Sequence, residues 1–245
     1  TGRKEGFMNV ERALVRSNDI FFYDAAMKTG IDTLSSWSKK LGLGEKTGID
    51  IPGEVKGTVP NPAWKKEEIG EQWYLGDTIN MSIGQGFLET TPMQVNLYTQ
   101  LVANGGELIK PHLLFGDVRI IKKDFIAKEN IDVVKNGMRG ACEPGGTGYP
   151  LFGFKVKNER LKIDDLDYVR DASAGANFVH VIMGCKTGTS EAHGDNAKSH
   201  AWFTVFAPFY NPEIAITVLA ENAGQGSDIA APVARDILKE YFEKK

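Results

Sequence analysis

A lysine and two threonines lie together in one short segment near the end of the chain, Lys186-Thr187-Gly188-Thr189. An ammonium group and hydroxyls that converge on one point can bind a carboxylate through charge-assisted hydrogen bonds. The glycine between them leaves room for a ligand to lie against the backbone. Apolar and β-branched residues at 178–183 predict that the segment continues a strand. The pattern therefore predicts a strand that binds the carboxylate of an extended substrate.

The lysine-threonine-glycine triplet is a weak signal alone, because it also occurs at Lys46-Thr47-Gly48. That copy lies among glycines, within residues 42–50, and follows no strand pattern. Such surroundings are typical of a turn that leaves a helix. We therefore interpret the copy at Lys46 as a turn and look for a partner motif to the copy at Lys186.

A polar triplet, Ser17-Asn18-Asp19, interrupts an apolar pattern with helical spacing from Val10 to Ala25. Alone, the triplet predicts a break in the helix with a new N-cap, because Ser, Asn and Asp compete for backbone hydrogen bonds. A superfamily of serine acyltransferases and hydrolases combines three motifs, S-x-x-K, S-D-N and K-T-G. The triplet has the S-x-D form of the second motif, and the later Lys-Thr-Gly segment matches the third. We therefore interpret the triplet as part of a site.

These motifs resemble the transpeptidase domain of class B penicillin-binding proteins, most closely the penicillin-binding protein 2 type of the elongation machinery. The resemblance extends from Gly6 to Tyr241. Six segments match in family order, at residues 9–23, 47–54, 73–78, 82–94, 145–148 and 186–189. The resemblance implies the α/β (α+β) fold of penicillin-binding proteins and β-lactamases, in which helices flank an antiparallel sheet.

The hydrophobic pattern predicts the elements of this fold. Helices are predicted at residues 8–28, 32–41, 92–103, 128–140 and 228–242, and strands at 178–190, 201–207 and 214–220. The mixed charges of residues 155–171 predict a solvated insertion. We expect residues 1–245 to form the C-terminal part of one transpeptidase domain, incomplete at the N-terminus.

The nucleophile of the family is not expected in this chain. In the family, the serine of S-x-x-K lies some tens of residues before the second motif, whereas 16 residues precede Ser17 here. Ser36 and Lys39 have the S-x-x-K spacing, but they follow Ser17 and fall where the family has an ordinary packing helix. We therefore expect that this chain alone cannot be acylated. The sequence leaves open whether it is part of a longer enzyme, a cleaved piece or a renumbered segment.

The resemblance implies roles for the first motif. Ser17 would relay a proton between the lysine of S-x-x-K and the leaving nitrogen. Asp19 would hold the amide side chain of the donor substrate, although many relatives carry Asn at this position and the contact stays open. Asn18 is expected to contact the substrate.

The resemblance also implies roles for the second motif. Lys186 would supply positive charge and donate a hydrogen bond to the Ser17 hydroxyl, while the hydroxyls of Thr187 and Thr189 would receive the terminal carboxylate of the substrate. The backbone N–H of Thr189 would be one donor of the oxyanion hole. Gly188 would keep the approach open, and Ser190 would contact the substrate.

The implied function is that of a peptidoglycan D,D-transpeptidase. Such an enzyme cross-links stem peptides ending in D-Ala-D-Ala through an acyl-serine, and β-lactams inhibit it. A β-lactamase and a β-lactam sensor or binding module of the same fold are the alternatives. No glutamate stands in a motif that would activate a deacylating water, and the IGQG and TPMQ segments within residues 82–94 resemble transpeptidases. The resemblance further implies a periplasmic domain at the cell membrane, with an anchor outside the chain, and a SEDS-type glycosyltransferase partner.

Composition excludes several other classes. With 42% hydrophobic and 25% charged residues, the chain is typical of a globular unit. A net charge of -3 gives no basic surface, so nucleic acid is not an expected partner. No apolar run approaches the ~18 residues of a membrane span. The glycine-rich residues 143–148 lack the G-K-[ST] ending of a phosphate loop, and we expect no cofactor.

Potential metal ligands and redox groups are few. The two cysteines, Cys142 and Cys185, are not expected to form a disulfide framework. Cys185 would face away from the lysine that follows it and lie buried behind the site. His193, Asp195 and His200 could be drawn as a metal site, but loop histidines beside glycine and asparagine are typical of solvated or capping positions. We therefore expect no metal.

Overall fold

The computed structural model describes residues 6–114, 116, 118–164, 166–170, 178–192 and 198–245. Its α-helices are α1 (Val10–Arg16), α2 (Asp19–Thr29), α3 (Ile31–Lys40), α4 (Pro62–Glu68), α5 (Leu75–Ser82), α6 (Pro92–Ala103), α7 (Lys128–Ala141) and α8 (Ala231–Lys244). Its strands are β1 (Leu108–Ile109), β2 (Ile120–Lys122), β3 (Lys155–Lys157), β4 (Tyr168–Arg170), β5 (Phe178–Val181), β6 (Gly184–Ser190), β7 (His200–Ala207) and β8 (Ile214–Ala220). A 3-10 turn lies at Tyr149–Leu151, and a π-helical turn at Gly226–Ala230 leads into α8.

The central sheet is antiparallel, with the strand order β6-β7-β8. Helices cover both of its faces. Alternate side chains of β7 point to opposite faces, so they pack against different helices. Phe203 packs in one apolar cluster with Leu238 of α8, whereas Phe206 packs in another with Leu101 of α6. This arrangement confirms the predicted fold class of helices around an antiparallel sheet.

The helices that begin and end at strong signals were predicted well. Residues 32–41, 92–103 and 128–140 correspond to α3, α6 and α7 within one residue at each end. In α6, the hydroxyl of Thr91 accepts from the N–H of Gln94, and the Gln94 side chain accepts from the N–H of Thr91. This capping box, with Pro92 in the first turn, fixes where the helix starts.

The prediction of one helix over residues 8–28 was wrong. The chain leaves α1 at Ser17, whose φ of 50° lies in the left-handed region, and α2 starts anew after Asn18. The Oδ1 atom of Asn18 accepts from the N–H of Phe21 at 2.9 Å, so Asn18 is the N-cap of α2. The local tendency of the polar triplet to break a helix therefore prevailed over the apolar periodicity.

The prediction of one strand over residues 178–190 was also wrong. The chain bends at Ile182 and Met183, so that β5 and β6 belong to different sheets. β5 lies between β3 and β4 in a small antiparallel sheet. A continuous apolar run does not reveal such a bend, because both halves keep the strand pattern.

The same small sheet corrects the prediction of a solvated insertion at 155–171. Val156 and Tyr168, on strands β3 and β4, belong to the apolar cluster beneath α8. Asp167 is fully buried, and its carboxylate accepts from the N–H groups of Tyr210 and Asn211 at 2.6 and 2.8 Å. The apolar residues were hidden in the sequence by the exposed charges between them.

The expectation that Cys142 and Cys185 form no disulfide framework was wrong as well. Cys142 and Cys185 form a disulfide between residues 43 positions apart. The bond joins the end of α7 to β6, immediately before Lys186. Sequence spacing could not predict it, because the pairing depends on how α7 packs against β6. The expected burial of Cys185 is confirmed, since its exposed fraction is 0%.

In the part of the chain that the structure describes, no three His, Cys, Asp or Glu side chains are grouped as metal ligands. His193 and Asp195 lie outside the described residues. Within the described ranges, none of the helices combines the length and the apolar character that crossing a bilayer requires.

Candidate active site

The two motifs meet across a cleft between the start of α2 and strand β6. The Nζ atom of Lys186 donates a hydrogen bond to Oγ of Ser17 at 2.8 Å, although 169 residues separate them in sequence. The same ammonium donates to the carbonyl of Thr187 at 2.7 Å. The structure therefore fixes both the lysine head group and the serine hydroxyl in one position of the cleft.

The helix break presents Ser17 to the lysine. The left-handed conformation of Ser17 ends α1, and the N–H of Asn18 returns to the carbonyl of Ala13 at 2.9 Å. This tight turn points the chain toward β6 before α2 begins. Since the Oδ1 atom of Asn18 already caps α2, the structure gives this residue a local role.

Electrostatics in the cleft are set by Lys186 and Asp19. Burial lowers the pKa of Lys186 to about 8, because the ammonium has lost part of its water shell. The negative charge of Asp19 opposes this effect and raises the pKa of Lys186. Near neutral pH the lysine is thus mainly cationic but can release its proton more easily than an ordinary lysine.

Most of the predicted site residues line one cavity of about 460 Å³. They are Ser17, Asp19, Lys186, Thr187, Gly188 and Thr189. Asn18 is not among the lining residues. Ser190 lines the adjoining cavity instead, and its hydroxyl accepts from Nε1 of Trp202 at 3.2 Å.

The adjoining cavity, of about 320 Å³, is largely apolar. It lies between β6 and β7 on one side and the helices α1, α6 and α7 on the other. Its apolar walls include Leu14, Ile83, Leu88, Tyr98 and Met138. An apolar space therefore opens directly beside the polar cleft.

A glycine-rich loop supports β6 and the end of α1 together. The hydroxyl of Thr147 lies 2.9 Å from that of Thr187, and the guanidinium of Arg16 donates to the carbonyl of Gly145 at 2.6 Å. At Gly148, an added Cβ would lie 2.7 Å from Sγ of Cys185, so the loop packs tightly on the disulfide. Residues 145–148 were matched to the family in sequence, but no contact was predicted for them.

Gln85 also contacts β6, and sequence reasoning missed it. Its side chain donates to the carbonyl of Thr189 at 2.9 Å and accepts from the N–H of Glu191 at 3.1 Å. The signal available in the sequence was the pair of glycines that flank it, which indicates a loop held in a special conformation.

The two decoy motifs lie elsewhere. Ser36 is on the exposed side of α3 and lines neither cavity. At the first lysine-threonine-glycine copy, the carboxylate of Glu54 accepts from the N–H groups of Thr47 and Gly48 at 2.7 and 3.0 Å, and from the Thr47 hydroxyl. That copy therefore lies in the loop that follows α3 and is held by Glu54, which agrees with its interpretation as a segment that leaves a helix.

The site combines a serine at a helix break with the lysine of a Lys-Thr-Gly-Thr strand, joined by a hydrogen bond, and helices cover both faces of the sheet. This combination defines the class of penicillin-recognising serine transferases and hydrolases. The sequence matches the penicillin binding protein transpeptidase domain family over residues 1–239, and the chain belongs to this family.

Curated relatives agree with the penicillin-binding protein 2 type. The chain is 32% identical to the peptidoglycan D,D-transpeptidase MrdA of Haemophilus influenzae over 98% of its own length and 37% of the relative's. It is 32% identical to MrdA of Escherichia coli K12, over 95% and 37% of the two lengths. The chain thus spans well under half the length of these relatives.

Solved structures show the same similarity. A Pseudomonas aeruginosa PBP2 in complex with WCK 5153 matches with a TM-score of 0.74 and 31% identity, over 97% of this chain and 48% of that one. A complex between PBP2 and MreC from Helicobacter pylori matches with a TM-score of 0.75 and 32% identity, over 96% and 40%. The resemblance to class B penicillin-binding protein 2 transpeptidase domains is confirmed.

Proposed function

We propose that the protein to which this chain belongs is a serine-type peptidoglycan D,D-transpeptidase of cell-wall elongation. The observation that carries the proposal is the hydrogen bond from Lys186 to Ser17 in a cleft that Asp19 and Thr189 also line. Family membership and the names of the MrdA relatives support the same reaction.

The reaction is acyl transfer. A serine hydroxyl attacks the carbonyl between the two D-alanines of a stem peptide, an acyl-serine ester forms, and the C–N bond to the last D-alanine breaks. The released nitrogen takes the proton that the serine hydroxyl gave up. An amine of a second stem peptide then attacks the ester, and the serine oxygen regains a proton as the cross-link forms.

In this scheme Ser17 passes the proton toward the leaving nitrogen, and its contact with Lys186 keeps its hydroxyl oriented for that transfer. The Lys186 ammonium and the hydroxyls of Thr187 and Thr189 bind the terminal carboxylate. The Thr189 N–H stabilises the oxyanion, and removing one such donor typically costs about 3 kcal/mol of transition-state stabilisation. Asp19 and Gly188 line the cleft and contact the donor peptide, and Ser190 lies where the cleft meets the apolar cavity. Asn18 acts on the site through α2, which it caps.

The nucleophilic serine comes from a part of the protein outside this chain. The apolar cavity beside Lys186 supports this proposal, because a helix with an apolar face would fill it and carry a serine to the edge of the cleft. Ser36 fits the spacing of a nucleophile, but its place on the exposed side of α3 argues against that role.

The substrates are stem peptides ending in D-Ala-D-Ala, and β-lactams bind as mimics of that dipeptide. We place the protein at the extracytoplasmic face of the cell membrane, with its anchor outside residues 1–245. A glycosyltransferase of the SEDS type is the proposed partner. Support comes from a similar chain, 28% identical with a TM-score of 0.79, in a structure described as coordinating polymerization and crosslinking in a peptidoglycan synthase complex.

The test is acylation of the full-length protein by a fluorescent penicillin, together with D-alanine release from a pentapeptide. We expect stoichiometric labelling and slow release of the label, whereas a β-lactamase would turn the penicillin over rapidly. A sensor would be labelled but would release no D-alanine. Lys186→Ala should slow labelling strongly, and Lys46→Ala, in the other triplet, is the matched control that should not.

A further inference from the structure

Gln85 lies in a short loop after α5, and the glycines on either side of it and contacts with Asn80 fix the conformation of this loop. α5 ends at Ser82, and Gly84 and Gly86 both have positive φ angles, 78° and 72°. The backbone N–H of Gln85 donates to the carbonyl of Asn80 at 3.0 Å. At Gly86 an added Cβ would lie 3.1 Å from that of Asn80. The base of the Gln85 side chain is therefore held against the end of α5.

The side chain reaches from this loop to the outer edge of β6. Among the described strands, β6 pairs only with β7, so its other edge has no neighbouring strand. The carboxamide of Gln85 donates to the carbonyl of Thr189 at 2.9 Å and accepts from the N–H of Glu191 at 3.1 Å. A carbonyl and the N–H two residues later point to the same edge of a strand, where N–H and C=O groups of an adjacent strand would satisfy them. The primary carboxamide of Gln85, whose C=O and one N–H lie on the same side, thus supplies the two hydrogen bonds that an adjacent strand would make.

These two bonds act on the residue that carries the oxyanion donor. Both the N–H and the carbonyl of Thr189 face the same edge of the strand. Fixing its carbonyl and the next N–H along that edge restricts rotation of the peptide groups on both sides of Ser190. On the opposite edge, β7 pairs with β6 as far as Ser190. The hydroxyl of Thr189 accepts a long hydrogen bond, of 3.4 Å, from the N–H of Gly226. The two Gln85 bonds add support on the outer edge.

We propose that Gln85 is a positioning residue for acylation, which holds the end of β6 so that the Thr189 N–H points at the reacting carbonyl. The inference rests on the proposed function and deepens it. It assigns the IGQG segment a task at the same site: the glycines shape the loop, and the glutamine between them completes the edge of the strand. Preorganised donors stabilise a developing oxyanion because they need not reorient during the reaction.

The experiment compares the full-length wild type with Gln85→Ala and Gln85→Glu, and with Gln72→Ala as the matched control at an exposed glutamine. The acylation rate constant and the affinity of the preceding complex are measured separately with a fluorescent penicillin. Hydrogen exchange is followed in the peptide that spans residues 187–192. We expect acylation by Gln85→Ala to be about tenfold slower or more, with affinity changed much less, because two hydrogen bonds are lost.

Gln85→Glu provides a conservative rescue. An ionised carboxylate can accept from the Glu191 N–H but cannot donate to the Thr189 carbonyl, whereas a protonated carboxyl can do both. Its acylation rate relative to the wild type should therefore rise as pH falls from about 7 toward 5, nearer the range in which a carboxyl takes up a proton. The exposed Glu191 and the cationic Lys186 are the charged groups nearby, and both are also present in the wild type with which each rate is compared.

Equal acylation by Gln85→Ala and wild type overturns the inference and leaves the proposed function standing. Unchanged hydrogen exchange at residues 187–192 in Gln85→Ala overturns it as well, because the strand end would then be held by other contacts. A wild-type protein that takes no acyl group overturns the proposed function and this inference together.

Discussion

At the residue scale, the proposed function depends most on the hydrogen bonds and the lowered pKa of Lys186. Its amine donates to Ser17 and to the carbonyl of Thr187, and burial has lowered its pKa to about 8. Motif pairing predicted the contact with Ser17, since both motifs were known by their residue types. The lowered pKa could not be predicted, because it depends on how much water the folded cleft excludes.

This pKa predicts a pH dependence. Lys186 is cationic below its pKa and neutral above it, so a role in binding the carboxylate requires acylation to slow as pH rises through about 8. Asp19→Asn removes a charge that raises the pKa of Lys186, and the decline should then begin at lower pH. Acylation rates measured from pH 6 to 10 check both points, with Asp24→Asn, on an exposed salt bridge of α2, as the control. A rate that instead rises through pH 8 would make the neutral amine the active form.

At the element scale, local signals located the helices but not their contacts. The capping box at Thr91 and Gln94 fixed the start of α6, whereas the bend at Ile182 and the strands on either side of β5 left no local signal. Gln85 shows the same limit, because its partner Thr189 lies 104 residues away. Periodicity and capping signals predicted where helices lie. They could not predict which strands pair or which side chains meet across the folded chain.

Two glycines, Gly84 just after α5 and Gly76 inside it, should respond differently to replacement by alanine. At Gly84, φ is 78° and the space around an added Cβ is open, so Gly84→Ala introduces backbone strain without a clash. We expect it to lower the free energy of unfolding by about 1–2 kcal/mol. Gly76, inside α5 and equally open, should tolerate Ala or gain up to about 1 kcal/mol. Urea unfolding of both variants measures this, and equal effects would argue against a strained turn at Gly84.

The disulfide that joins the end of α7 to β6 should stabilise the folded chain. Cys142 and Cys185 close a loop of 43 residues that contains the glycine-rich segment and the small sheet. Replacing both with Ala should lower the free energy of unfolding by about 2–4 kcal/mol, since the unfolded chain regains freedom. Thermal unfolding with and without reductant checks this. The reductant should destabilise the wild type and leave the double variant unchanged.

At the scale of the whole molecule, the sequence predicted the fold class and the family because six segments occur in family order. It also predicted that Ser17 and Lys186 meet, which is the central feature of the site. The disulfide and the buried Asp167 were missed for one reason: each depends on packing between segments far apart in the chain, and isolated cysteines or charges carry no record of their partners.

The most direct test of the central claim is to locate the acylated serine. The full-length protein is incubated with penicillin, its intact mass is measured, and the modified peptide is identified by digestion. We predict a single adduct on a serine outside residues 1–245, formed much more slowly in Lys186→Ala. An adduct on Ser36 or any other residue of this chain would contradict the account, because the cleft between Ser17 and Lys186 would then serve a different nucleophile.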